Sequence, residues 1–230
     1  MMDNPVVLIA SLAFATLLPF ILAAGSCFLK FSVVFSLLRN AIGLQQVPSN
    51  MVLNGIALVM AAFVMMPVFN QVNGYYHEQR IDLNDPASMQ RFLEEGVAPY
   101  KKYLIRYSDP DMVQFFGELH EAQLRDDTDN TPPPPRNDDD RIDPEQASLL
   151  TLLPAYALSE LKSAFEIGFY IYLPFLVIDM LVSNVLLALG MMMMSPVTIA
   201  LPIKLILFVM MDGWNKIVKG LILQYIHLAQ

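Results

Sequence analysis

Apolar residues gather in long stretches at the two ends of the chain, and polar residues in one block between them. No Asp, Glu, Lys or Arg occurs in residues 4–29, and none between Met51 and Phe69. A helix of about 20 apolar residues crosses a ~30 Å hydrocarbon layer, so each stretch can supply a span. Pro19 is expected to kink the first helix without ending it, and Ser11 and Ala15, four apart, permit close packing. Ala23-Ala24-Gly25 could be a signal-peptide cleavage site, but Met1–Pro5 carries only Asp3 and no base, which favours a retained helix. Gly43, Pro48 and the Asn and Gln residues around them mark a turn before the second stretch. Lys30 and Arg39 are the bases between the two stretches, so the positive-inside rule places this connection in the cytoplasm and the polar block on the far side.

The polar block, about 70–147, divides in two. Asp109-Pro110-Asp111 reads as a helix start, and Met112, Phe115, Phe116 and Leu119 follow at amphipathic spacing. Met89, Phe92 and Leu93 predict a shorter helix before it, and Pro99 starts another. Asp126–Pro144 is nearly devoid of apolar residues and reads as an extended linker. Apolar sequence resumes at Leu149, with Asp179 expected to interrupt it and Pro174 to bend it. Pro154, Pro174, Pro196 and Pro202 are expected to break the C-terminal half. This gives four regions: 1–69, an N-terminal helical hairpin; 70–125, a small helical polar subdomain; 126–147, a linker; and 148–230, C-terminal apolar helices.

Composition sharpens this pattern. The chain is 55% hydrophobic and only 16% charged, with a mean hydropathy of +0.47. Its net charge of −8 comes from the middle: Glu78–Gln146 holds 17 of 22 acids and 8 of 14 bases. Such a distribution describes a membrane protein with a polar insertion, and without a basic patch to neutralise phosphates it argues against nucleic acid as a partner. In the C-terminal half, however, Glu160, Lys162, Glu166, Asp179, Lys204 and Asp212 are strewn through apolar sequence. A charge at bilayer depth costs about 2.5–3.5 kcal/mol, so these residues are expected to face protein or water as subunit or interhelical pairs. Lys162 with Glu166, and Asp212 with Lys216, have the four-residue spacing of pairs along one helix. Trp214 beside such charges resembles an interface anchor.

Catalytic and cofactor chemistry finds little footing. His77, His120 and His227 are scattered and form no metal-binding pair. The acid run of the linker lacks the ligand spacing, glycine and final glutamate of an EF-hand. No nucleophile elbow or phosphate-binding glycine loop occurs, and Glu160 and Glu166, six apart, project to different helix faces. Cys27 is a lone thiol in an apolar run and reads as a small buried hydrophobe. No enzyme activity and no cofactor are expected. The unusual feature is Gly190-Met191-Met192-Met193-Met194-Ser195-Pro196. Methionine fills irregular cores well, but four in a row on a helix would face all round its axis. In a break between Gly190 and Pro196 several can instead project into one space, so core filler and soft constriction both stand. Copper binding by the thioethers is chemically possible, but no histidine or cysteine accompanies them.

Three segments carry a family resemblance. Lys30-Phe31-Ser32-Val33-Val34-Phe35-Ser36-Leu37-Leu38-Arg39-Asn40-Ala41-Ile42-Gly43-Leu44-Gln45-Gln46 is the first. Ser159-Glu160-Leu161-Lys162-Ser163-Ala164-Phe165-Glu166-Ile167-Gly168-Phe169, with Ile171-Tyr172-Leu173-Pro174-Phe175, is the second. Gly190–Pro196 with Leu201-Pro202-Ile203-Lys204-Leu205 and Asp212-Gly213-Trp214 is the third. Together they resemble the FliP/SctR (YscR/HrcR) family of type III secretion, and the N-terminal segments look closer to its virulence, or injectisome, branch.

The resemblance implies an all-α subunit of the export gate, with helical hairpins that assemble into a shallow spiral. Five copies would join partners of the SctS/FliQ and SctT/FliR types, beside SctU/FlhB-like and SctV/FlhA-like components. The pore would pass unfolded polypeptides across the inner membrane, with the insertion on the periplasmic side. Met191, Met192 and Met193 match the family's sealing methionines, the methionine gasket, and Met194 stands where another apolar residue is common. The family also implies that much of the assembly lies above the membrane plane. Pro48-Ser49-Asn50 departs from the common Pro-Pro-Asn, and the Pro/Asp-rich linker matches no family signature. On the residues alone, an ion channel or secondary transporter would also want buried charge and broken helices.

Overall fold

The computed structural model describes residues 12, 16, 23–79, 88, 91–124, 143–145, 147–191 and 193–227 of the 230-residue chain. Among these the protein is all-helical, as the sequence predicts. Its helices are α1 (Phe28–Ile42), α2 (Asn50–Glu78), α3 (Ala98–Tyr107), α4 (Pro110–Leu124), α5 (Leu149–Ala188), α6 (Pro196–Met210) and α7 (Gly213–His227), with a π-helical turn at Phe92–Gly96. Most of the span expected in residues 4–29 and most of the 126–147 linker lie outside the described residues.

The chain forms two compact units, Met1–Cys27 with Met65–Glu160, and Phe28–Val64 with Leu161–Gln230. In the first, α3 and the opening turns of α5 hold a cluster of phenols. Tyr103 and Tyr156 share a 2.6 Å hydroxyl hydrogen bond, and Tyr100 donates to the carbonyl of Gly25 at 2.9 Å. Asp109 caps α4: its carboxylate accepts the Asp111 amide at 3.1 Å, where the sequence predicts a helix start. The apolar stripe Met112, Phe115, Phe116 and Leu119 is not the buried face of α4. Val113 and Gly117 are buried instead, while Phe115 is 53% and Leu119 42% exposed. A glycine one turn beyond a valine lets the helix approach closely along a narrow line.

In the second unit, Phe31, Val34, Phe35, Leu38, Ala41 and Ile42 make the buried stripe of α1. Leu38, Ala41 and Ile42 pack with Phe175 of α5 and Phe208 of α6. A side chain at Gly168 of α5 would collide with Leu37, so glycine is what allows these two helices to touch here. Ser32 donates to Asn54 of α2 at 2.7 Å. Trp214, read from sequence as an interface anchor, stacks edge-on against Phe208 at 5.6 Å and against Phe35 at 6.1 Å, and remains 40% exposed.

α5 corrects the expectation of a broken C-terminal half. It runs 40 residues without interruption, through Pro154, Pro174 and Asp179, and α6 likewise runs through Pro202. An interior proline removes one intrahelical hydrogen bond and costs about 3 kcal/mol, and here the turns on both sides stay helical around it. Pro196 alone among the four stands at a break, because as the first residue of α6 it forfeits no intrahelical bond. At 1.5 Å per residue α5 extends about 60 Å, twice a hydrocarbon layer. Asn50–His77 and Leu149–Ala188 are long and apolar enough to cross a membrane, and α6 with α7, bent by 59°, is a third candidate as a pair.

Candidate functional site

The candidate site is the break between α5 and α6. α5 ends in a Schellman motif: the Met191 amide reaches the Leu186 carbonyl at 3.0 Å and the Gly190 amide reaches that of Leu187 at 3.0 Å. This geometry needs a left-handed residue, and Gly190 supplies it with φ +73°. A single weak turn follows, Met194 N–H to Met191 carbonyl at 3.3 Å. Ser195 then sits in extended backbone and Pro196 starts α6. The Ser195 carbonyl accepts the Thr198 hydroxyl at 2.8 Å. The loop is therefore hinged by backbone geometry at both ends, and its side chains are left in the open. Met193 is 102% exposed, Met191 42% and Met194 44%. Met192 lies outside the described residues.

The embedded charges divide by unit. In the second unit Lys204 is buried, and its ammonium binds Asp179 Oδ2 at 2.5 Å and the Ala41 carbonyl at 3.3 Å. Ala41 lies in the last turn of α1, where four carbonyls lack intrahelical partners. The Leu44 and Gly43 amides take those of Arg39 and Asn40, and Lys204 takes that of Ala41. One cation thus ties α5, α6 and the negative end of the α1 dipole together. Asp212, at φ +52° between α6 and α7, is exposed and holds Asn215 Nδ2 with both carboxylate oxygens at 2.9 Å. Lys162 and Glu166 are exposed on α5.

Glu160 belongs to the first unit and is 1% exposed, in the electrostatic neighbourhood of Tyr103 and Tyr107. Burial pushes the Tyr103 phenol above the ordinary range, with Cys27 and Glu160 adding to it, and carries Tyr100 up to about 12. Burial also raises Tyr107. Among the described residues no three His, Cys, Asp or Glu side chains are grouped to hold a metal ion.

Some supports escaped the sequence reading. Lys30 is buried with its ammonium 4.9 Å from the Tyr225 ring centroid, a cation–π contact between residues at opposite ends of the chain. Arg39, read as a topology signal, also donates to the Pro48 carbonyl at 3.1 Å and so holds the turn before α2. A lysine inside an apolar run is the only local signal for the first, and nothing local names its partner.

Known proteins resemble this chain along nearly its whole length. The model of the FliP family matches residues 11–221. The surface presentation of antigens protein SpaP of Salmonella typhimurium is 55% identical over 99% of this chain and 100% of its own. The Yop proteins translocation protein R of Yersinia pestis is 45% identical over 95% of each chain. The harpin secretion protein HrcR of Erwinia amylovora is 41% identical over 97% of each.

Proposed function

The chain belongs to the FliP family, and from that premise we propose that it is a core subunit of a type III secretion export gate of the injectisome branch. The relatives' names speak of antigen presentation at the surface, Yop translocation and harpin secretion, all of them export of proteins. The subunit is a multi-pass protein of the bacterial inner membrane with its polar insertion on the periplasmic side. Five copies join SctS/FliQ-like and SctT/FliR-like subunits, next to SctU/FlhB-like and SctV/FlhA-like components, around a pore for unfolded polypeptides. It is a passive conduit and carries no catalytic centre.

The observation that carries this reading is the open methionine loop between α5 and α6. Met191, Met193 and Met194 stand out from a turn fixed by Gly190 and Pro196. One subunit's loop cannot close a polypeptide-sized pore, but a ring of such loops can. Unbranched, polarisable side chains re-pack around varied surfaces, so the ring excludes ions when empty and yields to many substrates. Lys204, Asp179, Lys162, Glu166, Glu160 and Asp212 hold helices and copies in register around it.

Replacing Met191, Met192 and Met193 together by alanine is expected to raise small-ion leakage through the assembled gate several-fold. A dye-release assay on the intact complex in liposomes reads this directly. Unchanged leakage with full assembly would remove the sealing role.

A further inference from the structure

We propose that the methionine loop is also a site of reversible oxidation, at which hydrogen peroxide or hypochlorous acid converts its thioethers to sulfoxides and unseals the closed gate. The inference rests on the sealing role proposed above. It starts from a contrast in accessibility. Met193 is fully open and Met191 and Met194 nearly half open, whereas Met60 is 7% exposed in the core. Met51, Met66, Met180 and Met210 are open as well, but they sit on helices long enough for a membrane or in the bent pair, and Met211, 38% exposed, caps α6 inside that pair. Lipid or another apolar subunit covers such helices and keeps an aqueous oxidant away. Met191, Met193 and Met194 lie off any helix, between Gly190 and Ser195, and apart from the chain neighbours nothing described lies within 4 Å of where a Gly190 side chain would stand. Cys27, the one thiol and the more easily oxidised sulfur, is fully buried, so it does not intercept the oxidant.

The chemistry balances without a cofactor. A lone pair of the methionine sulfur attacks a peroxide oxygen, the O–O bond breaks, and the products are a sulfoxide and water. Sulfur loses two electrons and peroxide gains them. Hypochlorous acid delivers the same oxygen and leaves as chloride and a proton. Methionine sulfoxide reductase reverses the step, with a dithiol giving up two electrons and becoming a disulfide. A sulfoxide is polar and draws water, so a ring of them holds a wetted path where thioethers hold a dry one. Consecutive methionines concentrate the effect at one level of the pore.

The test uses the complete gate in phosphatidylethanolamine–phosphatidylglycerol liposomes, with each preparation's leakage after hydrogen peroxide divided by its own value before. Wild type is expected to rise several-fold and to return towards its starting value with methionine sulfoxide reductase and dithiothreitol. A variant with Met191, Met192, Met193 and Met194 all changed to leucine, close in volume but inert to peroxide, is expected to show no rise. A Met51→Leu, Met66→Leu variant is expected to rise as wild type does. A full rise in the loop variant, or loss of the rise in the helix variant, would overturn the inference. Should the loop variant fail to assemble, peptide mapping of the oxidised wild-type gate decides: sulfoxide must appear in Met191–Met194 before Met60, and the reverse order overturns the inference. Alanine in place of Met191–Met193 separates the two ideas. Raised leakage there, together with a wild-type gate that does not respond to peroxide, leaves the seal and removes the oxidation; unchanged leakage there removes the seal itself.

Discussion

Two sites on the same pair of helices treat polarity in opposite ways. At Lys204, α6 buries a charge inside an apolar unit, paired with the partly exposed Asp179 of α5. At Met191, Met193 and Met194, where the same helices are joined, apolar side chains are left in the open. The first is tolerable because the ammonium is satisfied by Asp179 and by the Ala41 carbonyl, an acceptor that α1 cannot use itself. The second is tolerable in a single subunit because the loop is short and fixed by backbone alone. Buried charge here organises structure, and exposed apolar surface awaits a use. That inverts the usual expectation that charged residues mark the functional site and methionines fill the core.

The largest test of this contrast is Lys204→Ala. It leaves Asp179 without its cation and the α1 terminus without its donor, and is expected to cost about 3 kcal/mol, the low end for a broken buried pair because Asp179 keeps contact with solvent. Denaturant unfolding in detergent measures it. Restoring most of that loss with Lys204→Met and Asp179→Leu together would show that the pair's role is packing and register; no restoration would point to a separate need for charge. Next comes Gly190→Ala, which forces a Cβ into the left-handed region at a cost of about 1 kcal/mol. Its main expected result is altered leakage in the assembled gate, since the loop loses the turn that presents it. Normal sealing would show that the methionines do not depend on the Schellman geometry.

Glu160 and Lys162 sharpen the comparison from the other side. Their sequence positions are two apart, yet one is buried in the first unit and the other is exposed. Lys162→Glu is expected to change the stability of the isolated subunit by no more than about 0.5 kcal/mol while lowering the yield of assembled complex on native gels. Equal assembly would remove Lys162 from the subunit contacts. Glu160→Lys is expected to disrupt the folding of the first unit before assembly can be read.

The smallest effect is a pH dependence. Tyr100 and Tyr103 have phenol pKa values raised by burial, so folding favours their neutral forms. A raised acid contributes stability that is complete below the unfolded value near 10 and is lost as pH climbs from there through the folded value. Absorbance at 295 nm should show these phenols resisting ionisation above pH 10, until the first unit opens. All tyrosines titrating near 10 with the fold intact would deny the buried cluster.

The extent of the apolar runs, the Asp109 helix start and the stop-and-start pair Gly190 and Pro196 are written in the sequence, because each depends on a property of neighbouring residues: hydropathy, capping chemistry, permitted φ. The family could be read too, since its motifs are long and ordered. Only the structure decided that α5 passes through Pro154, Pro174 and Asp179 unbroken, for a proline costs one local hydrogen bond and the turns on both sides stay helical around it. The same is true of α4, which packs through Val113 and Gly117 and leaves Phe115 and Leu119 of its apolar stripe outside. It also decided that Lys204 meets Asp179 and a carbonyl 163 positions away, and that Glu160 goes inside while Lys162 stays out. Hydropathy fixes how much polarity a chain must hide; which groups hide together depends on contacts between segments far apart in sequence, and no local pattern records those.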